Sequence, residues 1–586
     1  MTKKLPATDV VIVGLGWAGS ILAKELCDQG LNVIGLERGP WRDTARDFNV
    51  ATAPDELRYN AREELMLRPA QNTCTMRNNP SETALPMRFW GSFHPGNGTG
   101  GAGNHWAGLT FRYQPADFRL ASHLRERYGK EVDPALTLQD WGITWEEMEP
   151  FYDAFEQVAG ISGKAGNIQG KIIEGGNPFE GPRTRDYPNP PNIQTIAQTL
   201  FAKTATEMGY KPFNVPSALA SQSYTNQYGV TMGPCTYCGF CTNYGCANYS
   251  KASAIVNVLP AVVNMPNFEA RTNCEVLEVL KDSSGKKATG VVYIDSNGER
   301  YEQPASIVIV AAFTFENVRL MLLSNVGVPY DPITGRGTTG RNYCYQTANG
   351  VRLFFKDQIF NPFIGGGAIG MGIDELNNDN FDHSGLGFVG GGSTRVTPIG
   401  AAPIASRPVP PGTPRWGSAW KKATAEHYLT NMSIGCEASS YPQRTNYLSL
   451  DPNYTDPHGR PLLRITFDFP DNDMRMAQYV TDKVGEIALR MNPVQIQKQP
   501  RTAPWANNDY QSSHVVGGFV MGADPSTSAV NKFCQVWDIP NLFVVGASAV
   551  PNNPGYNPTG TVGALAFRTA HYIRTQYLKQ PGEMMV

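Results

Sequence analysis

The stretch that most restricts what this chain can fold into is DVVIVGLGWAGSILAKELCDQGLNVIGLERG, residues 9–39. A β-branched run, Val10–Val13, leads into Gly14-x-Gly16-x-x-Gly19. An amphipathic stretch follows to Gln29, and a second apolar run, Asn32–Leu36, ends at Glu37 and Arg38. This order predicts strand, tight turn, helix and strand, the opening unit of a Rossmann-like α/β domain. Gly14 permits the turn, Gly16 lets a pyrophosphate reach backbone N–H groups at the helix N-terminus, and Gly19 lets helix and strand pack closely. Glu37, 23 residues after Gly14, is placed to accept hydrogen bonds from a ribose hydroxyl. An ordinary tight turn is the alternative. The full strand–helix–strand context favours a dinucleotide site over it.

A chain of 586 residues with 41% hydrophobic content has room for several domains, or for one large domain with a second woven through it. Its formal net charge is −2 and it has no long basic run, which argues against nucleic acid as a partner. No apolar run reaches the ~18–20 residues that span a bilayer. IVNVLPAVV and SIVIVAAF read as buried strands. The opening MTKKLPATDVVIVG runs directly into the glycine loop and reads as carrying no signal peptide of its own.

Further along, Thr144 and Glu147 have capping-box spacing ahead of a helix over 143–160, and 195–209 reads as another helix. Between 270 and 324, three strands (CEVLEVL, ATGVVYID, ASIVIVAAF) precede the helical ENVRLMLL. Residues 345–420 are rich in Gly and Pro and predict strands and long loops of a separate antiparallel cap. NYLSL and LLRITFDF predict strands, DNDMRMAQYVTDKVGEIALRM a long helix, NLFVVGAS a strand and 560–578 a closing helix.

Two further stretches carry the chemistry. GTGGAGNHWAGLTFRYQPADF (98–118) is a second glycine-rich loop followed by aromatics. SSHVVGGFVMGADPSTSAV (512–530) and NLFVVGASAVPNNPGYNPTGTVGALAFRTAH (541–571) close the chain. With the first unit, their order and spacing resemble the glucose–methanol–choline (GMC) oxidoreductase family over essentially the whole length. The resemblance implies an α/β, Rossmann-like FAD-binding domain built from segments 1–140, 216–345 and 506–586. Segments 141–215 and 346–505 would form an interwoven substrate-binding domain with an antiparallel sheet. It implies FAD contacts at Gly14, Gly16, Gly19, Glu37, Arg38, Gly101, Asn104, His105, Trp106, Val276, Gly546, Ala547, Asn557, Pro558 and Thr559. Two positions depart from the family pattern: Gly546 stands where an acid is common, and Phe313 where a glycine is common after VIVAA.

By the same resemblance His514 is the catalytic base and Asn557 its partner on the substrate oxygen. Without it, His514 reads as a core histidine and Asn557 as a turn residue before proline. His105, in GNHW, either carries the flavin 8α-methyl covalently or packs against the ring. His571 reads as a helix-face residue.

GPCTYCGFCTNYGCAN (233–248) holds Cys235, Cys238, Cys241 and Cys246, four of ten cysteines in the chain. The compact run suits an iron–sulfur cluster better than the two separated knuckles usual for zinc, and disulfides between such near neighbours would be strained. Within the family the resemblance is to flavoprotein subunits of bacterial membrane-bound sugar and sugar-acid dehydrogenases. It favours a [3Fe–4S] cluster on Cys235, Cys241 and Cys246 over a [4Fe–4S] cluster that includes Cys238. The implied reaction is oxidation of a sugar acid, D-gluconate to 2-keto-D-gluconate, with fructose, sorbitol, glucose or 2-ketogluconate as alternatives. Implied partners are a small subunit with a twin-arginine (Tat) export signal, a multihaem cytochrome c subunit and ubiquinone, at the periplasmic face of the inner membrane. A carboxylate substrate calls for Arg or Lys near the flavin, and Arg444 and Arg501 are candidates. A nicotinamide-dependent dehydrogenase with structural zinc is the rival reading.

Overall fold

The computed structural model describes residues 2–48, 63–88, 93–129, 132–361, 365–398, 408–501, 504–507 and 513–584. Its largest sheet has nine strands. Five run parallel, in the spatial order Phe268–Thr272, Val33–Glu37, Thr8–Val13, Arg300–Val310 and Ile539–Val544. Ala288–Ile294 and Glu275–Lys281 add antiparallel strands beyond Arg300–Val310. Val10, Val11 and Ile12 are fully buried. A parallel strand covered on both faces needs such a continuous apolar run rather than an alternating one. The helix Trp17–Cys27 and the final helix Thr559–Tyr572 pack together over this sheet.

The second sheet is antiparallel and six-stranded: Gln495–Gln499, Thr347–Phe354, Asn431–Ala438, Gly392–Val396, Met371–Ile373 and Phe213–Asn214. Strand Asn431–Ala438 alternates. Met432, Ile434, Cys436 and Ala438 join a core with Met476, Val480, Val484 and Ile487 of the helix Asp471–Arg490. Period-two alternation turns Glu437 to the opposite face, away from that core. That register decides what lines the site.

Local readings and structure agree closely where capping is involved. The helix Trp145–Ala159 starts at Thr144, whose hydroxyl accepts from Glu147 N while the Glu147 carboxylate accepts from Thr144 N. Three expectations need correction. IVNVLPAVV, read as a buried strand, forms two short helices, Ala254–Asn257 and Leu259–Val262, most of whose apolar residues are buried all the same. Residues 345–420 hold the expected strands but also the start of a helix, Gly417–His427, while 362–364 and 399–407 lie outside the described residues. The closing helix ends its α-helical part at Tyr572, and Ile573–Tyr577 continues with π geometry.

Candidate active site

One cavity of about 410 Å³ runs from the first glycine loop to His514. Its walls come from segments far apart in sequence: Gly14 and Gly16, Glu37 and Arg38, Gly101 and His105, Val276, Ala311–Thr314, Gly546 and Ala547, and Asn557–Thr559.

At the nucleotide end the glycine roles are spatially distinct. A Cβ on Gly19 would lie 1.9 Å from Gly14 O, so helix and strand could not close as they do. A Cβ on Gly16 would meet nothing within 4 Å; the space beside the helix N-terminus is open, as a pyrophosphate needs. Glu37 accepts from Leu15 N at 3.0 Å and Gly39 N at 2.9 Å, which fixes the carboxylate at the strand end. Arg38 pairs with Glu316 at 3.1 Å.

Across the cavity lie buried polar atoms that no protein group answers: Trp17 Nε1 and His105 Nε2 on its wall, and Asn104 Oδ1 behind it. Such groups call for a polar ligand, and FAD fits this set. Burial holds the His105 imidazole neutral, pushing its pKa down to about 3. Phe313, also on the wall, sits at φ +80°, the left-handed region that glycine adopts freely. A side chain at this φ leaves a strained backbone here.

At the other end stands His514. Its Nε2 is 3.0 Å from Asn557 Nδ2, and its Nδ1 is 2.5 Å from Gln346 Oε1 and 3.7 Å from Glu437 Oε2. Arg395 Nη2 lies 2.5 Å from Glu437 Oε2 and donates to Asn557 Oδ1 at 3.3 Å. Asn553 Nδ2 donates to His514 O at 2.7 Å and Tyr345 O at 2.6 Å, pinning the two backbones together. Burial lowers the His514 pKa, the Glu437 carboxylate opposes that, and Arg395 reinforces it. His514 and Asn557, 43 residues apart, thus meet, in company that local sequence did not announce: Gln346, Arg395, Glu437 and Asn553.

Arg444 and Arg501 do not line the cavity. Arg444 is exposed and donates to the carbonyls of Pro332 and Ile333, and Arg501 lies over the Phe469 ring at 5.6 Å. Arg395 is the guanidinium beside the His514–Asn557 pair, and Glu437 already engages it.

The cysteine loop abuts the same cavity. Thr242 and Asn243 line it, and Asn243 N donates to His105 O at 2.8 Å. Lys251, 1% exposed, donates to Trp106 O and Cys241 O at 2.8 Å each and to Tyr244 O at 2.7 Å. Trp106 Nε1 returns a bond to Ala252 O at 2.8 Å. The thiols are less ordered in role. Cys241 is buried, Cys235 and Cys246 are half-buried, Cys238 is exposed, and none is in a disulfide. Burial, with the other three thiols adding, pushes Cys235 up to about 12. Among the described residues no group of three or more His, Cys, Asp or Glu side chains is arranged to hold a metal ion. The donor chemistry suits an iron–sulfur cluster; the arrangement, with Cys238 turned to solvent, is not a ligand cage.

No helix among the described residues is long and apolar enough to cross a membrane. Family models described as GMC oxidoreductase match residues 192–346 and 442–566. The chain is 48% identical to the gluconate 2-dehydrogenase flavoprotein of Pantoea cypripedii, over 100% of this chain and 96% of that protein. It is 28% identical to a 2-methyl-1,2-propanediol dehydrogenase of Mycolicibacterium austroafricanum, covering 98% and 97%. It is 23% identical to the fructose dehydrogenase large subunit of Gluconobacter japonicus, covering 98% and 99%. Among solved structures, formate oxidase superposes with a TM-score of 0.60 at 15% identity, covering 99% of each chain. Pyridoxine 4-oxidase from Mesorbium loti gives 0.57 at 15%, covering 97% and 99%. With a cavity built for a flavin dinucleotide and a His–Asn pair at its far end, the chain belongs to the GMC oxidoreductase family, the FAD-dependent enzymes that oxidise CH–OH groups.

Proposed function

We propose that this chain oxidises a hydroxyl of a sugar acid, D-gluconate to 2-keto-D-gluconate, as the catalytic subunit of a heteromeric dehydrogenase. The observation that carries the reading is the His514–Asn557 contact at the end of the flavin-shaped cavity, together with 48% identity to a gluconate 2-dehydrogenase flavoprotein. Bound FAD supplies the two-electron acceptor for the hydride of the CH–OH carbon.

The chain's own residues handle the proton. Asn557 Oδ1 faces Arg395 Nη2, which can only donate, so the Asn557 NH₂ faces His514 Nε2. Nε2 is therefore an acceptor, and it takes the substrate hydroxyl proton as the carbon-bound hydrogen leaves as hydride. Asn557 Nδ2 then holds the substrate oxygen. The imidazolium formed at His514 is stabilised by Glu437 Oε2, 3.7 Å from Nδ1. Cavity walls from both domains exclude water around this transfer. Neutral His105 lines the cavity with an unpartnered Nε2, the atom at which covalent attachment to a bound flavin would occur.

The thiol spacing supports placing an iron–sulfur cluster in loop 233–248, [3Fe–4S] on Cys235, Cys241 and Cys246 ahead of [4Fe–4S] with Cys238. A multihaem cytochrome c subunit, ubiquinone and a small Tat-exported subunit complete the proposal, at the periplasmic face of the bacterial inner membrane.

The test is anaerobic mixing of the purified, cofactor-loaded complex with gluconate, fructose, sorbitol, glucose and 2-ketogluconate in turn. Bleaching of the flavin band by gluconate at the lowest concentration is the expected result. Bleaching by none of the five overturns the reading, and preference for a neutral sugar moves it to that substrate.

A further inference from the structure

We propose that Gln346 is a positioning residue that fixes the tautomer of His514 and so sets its Nε2 as the base; the inference deepens the catalytic reading above and rests on it.

An amide's two ends look alike, and their assignment comes from their partners. Here the partners decide. One end of the Gln346 amide lies 3.0 Å from Pro554 O and 3.2 Å from Tyr556 O. Both are carbonyl oxygens, which only accept, so this end is the NH₂. The other end, Oε1, is 2.5 Å from His514 Nδ1. A carbonyl oxygen has no proton to give, so Nδ1 carries the hydrogen. A neutral imidazole has one N–H, and Nε2 is left with its lone pair free. The Asn557 side of the ring reaches the same answer through a separate anchor, Arg395. Segment 554–557 thus serves both edges of the imidazole: two of its carbonyls orient Gln346, and its asparagine meets Nε2.

Gln346 is fully buried and does not line the cavity, so it acts through His514 and not on the substrate. Its neutrality also matters. The charged groups whose fields act on the ring are Glu437, on strand Asn431–Ala438, and Arg395, on strand Gly392–Val396. They form an ion pair with each other, while the Nδ1 proton itself is given to an uncharged acceptor. A carboxylate in that place would strengthen the base; the amide holds its orientation without doing so.

The experiment is rapid-mixing flavin reduction across pH in the holoenzyme, with Gln346→Met and Gln346→Glu beside His514→Ala. Methionine keeps the volume and removes the acceptor. Maximal flavin reduction should fall on the order of 10²-fold, with KM within about threefold and flavin content unchanged. Glutamate restores an acceptor, recovers part of the rate and moves the acidic limb of the kcat/KM profile to higher pH. Wild-type rate and limb in Gln346→Met overturn the proposal. If Gln346→Met fails to retain flavin, the limb of Gln346→Glu decides: a shift supports the proposal and an unmoved limb overturns it. Should His514→Ala itself reduce flavin normally, the catalytic reading fails, which is distinct from His514→Ala being inactive while Gln346→Met is normal.

Discussion

The His514 end of the cavity and the cysteine loop both border the same chamber, yet they are built in opposite ways. Around His514 each ring nitrogen has a side-chain partner from another segment, and those partners are themselves anchored. In the cysteine loop the backbone is what is anchored, through Lys251 and Asn243, while the thiols range from buried Cys241 to exposed Cys238. The difference follows from what each must do. Proton transfer gains most when donors and acceptors are oriented before the substrate arrives. Thiolate ligands are brought to their final geometry by the ion they bind, and that binding contributes to folding. One region is organised by its neighbours; on the reading proposed above, the other is organised by its ligand.

Four measurements break or sharpen that contrast, in descending order of expected effect. His514→Ala should cut substrate-driven flavin reduction by ~10²–10⁴-fold while flavin and iron content stay at wild-type levels. Near-normal turnover would show that the orderly end is not the catalytic one. Cys241→Ser should do the converse: iron and acid-labile sulfide fall and cytochrome reduction is lost, while gluconate still bleaches the flavin within a few-fold of the normal rate. Unchanged iron in this variant would make the cysteine run structural.

Lys251→Met severs the strut that ties the cysteine loop to Trp106. Removing a buried ammonium leaves three carbonyls without a donor, a cost of about 3 kcal/mol in unfolding free energy. A denaturant midpoint equal to wild type would show that the loop is held by something else. The smallest effect is a pH dependence. His105 is held at about 3, below the ordinary value of 6.5, so between these values the unfolded chain binds a proton that the folded chain does not. Stability therefore falls as pH drops below 6.5, by about 1.4 kcal/mol per unit at most, and His105→Asn should flatten that slope in flavin-free protein. Acid denaturation of the holoprotein reports separately on attachment: yellow colour left on the polypeptide means a covalent bond at His105, and colour in the supernatant means none.

What sequence reveals and what it hides follows the same division between local and distant. The unit at 9–39 and the Thr144–Glu147 cap were legible because each is complete within a few turns of chain. His514 was flagged by its motif, but its controllers were not. Gln346 lies 168 residues away, and Arg395 reaches Asn557 across 162. Glu437 faces the site only because its strand's register turns it there. The helix Gly417–His427 escaped notice for another reason: none of its residues is buried, so no core face imposes a periodic pattern. Arg444 and Arg501 were sought for charge alone, which says nothing about where a side chain lands.

One feature of the large sheet also governs when the protein can become an enzyme. Val310 is flanked by Val13, from the beginning of the chain, and by Val544, from near its end. The cavity's walls are contributed on the same plan, down to Asn557–Thr559 at the head of the last helix. Until residues 539–559 have left the ribosome, the cavity lacks a side and His514 lacks Asn557. Cofactor loading therefore follows synthesis of the stretch through Thr559, and any assembly step that requires bound flavin waits for it. A chain cut before Ile539 is not a weakened enzyme but a maturation dead end.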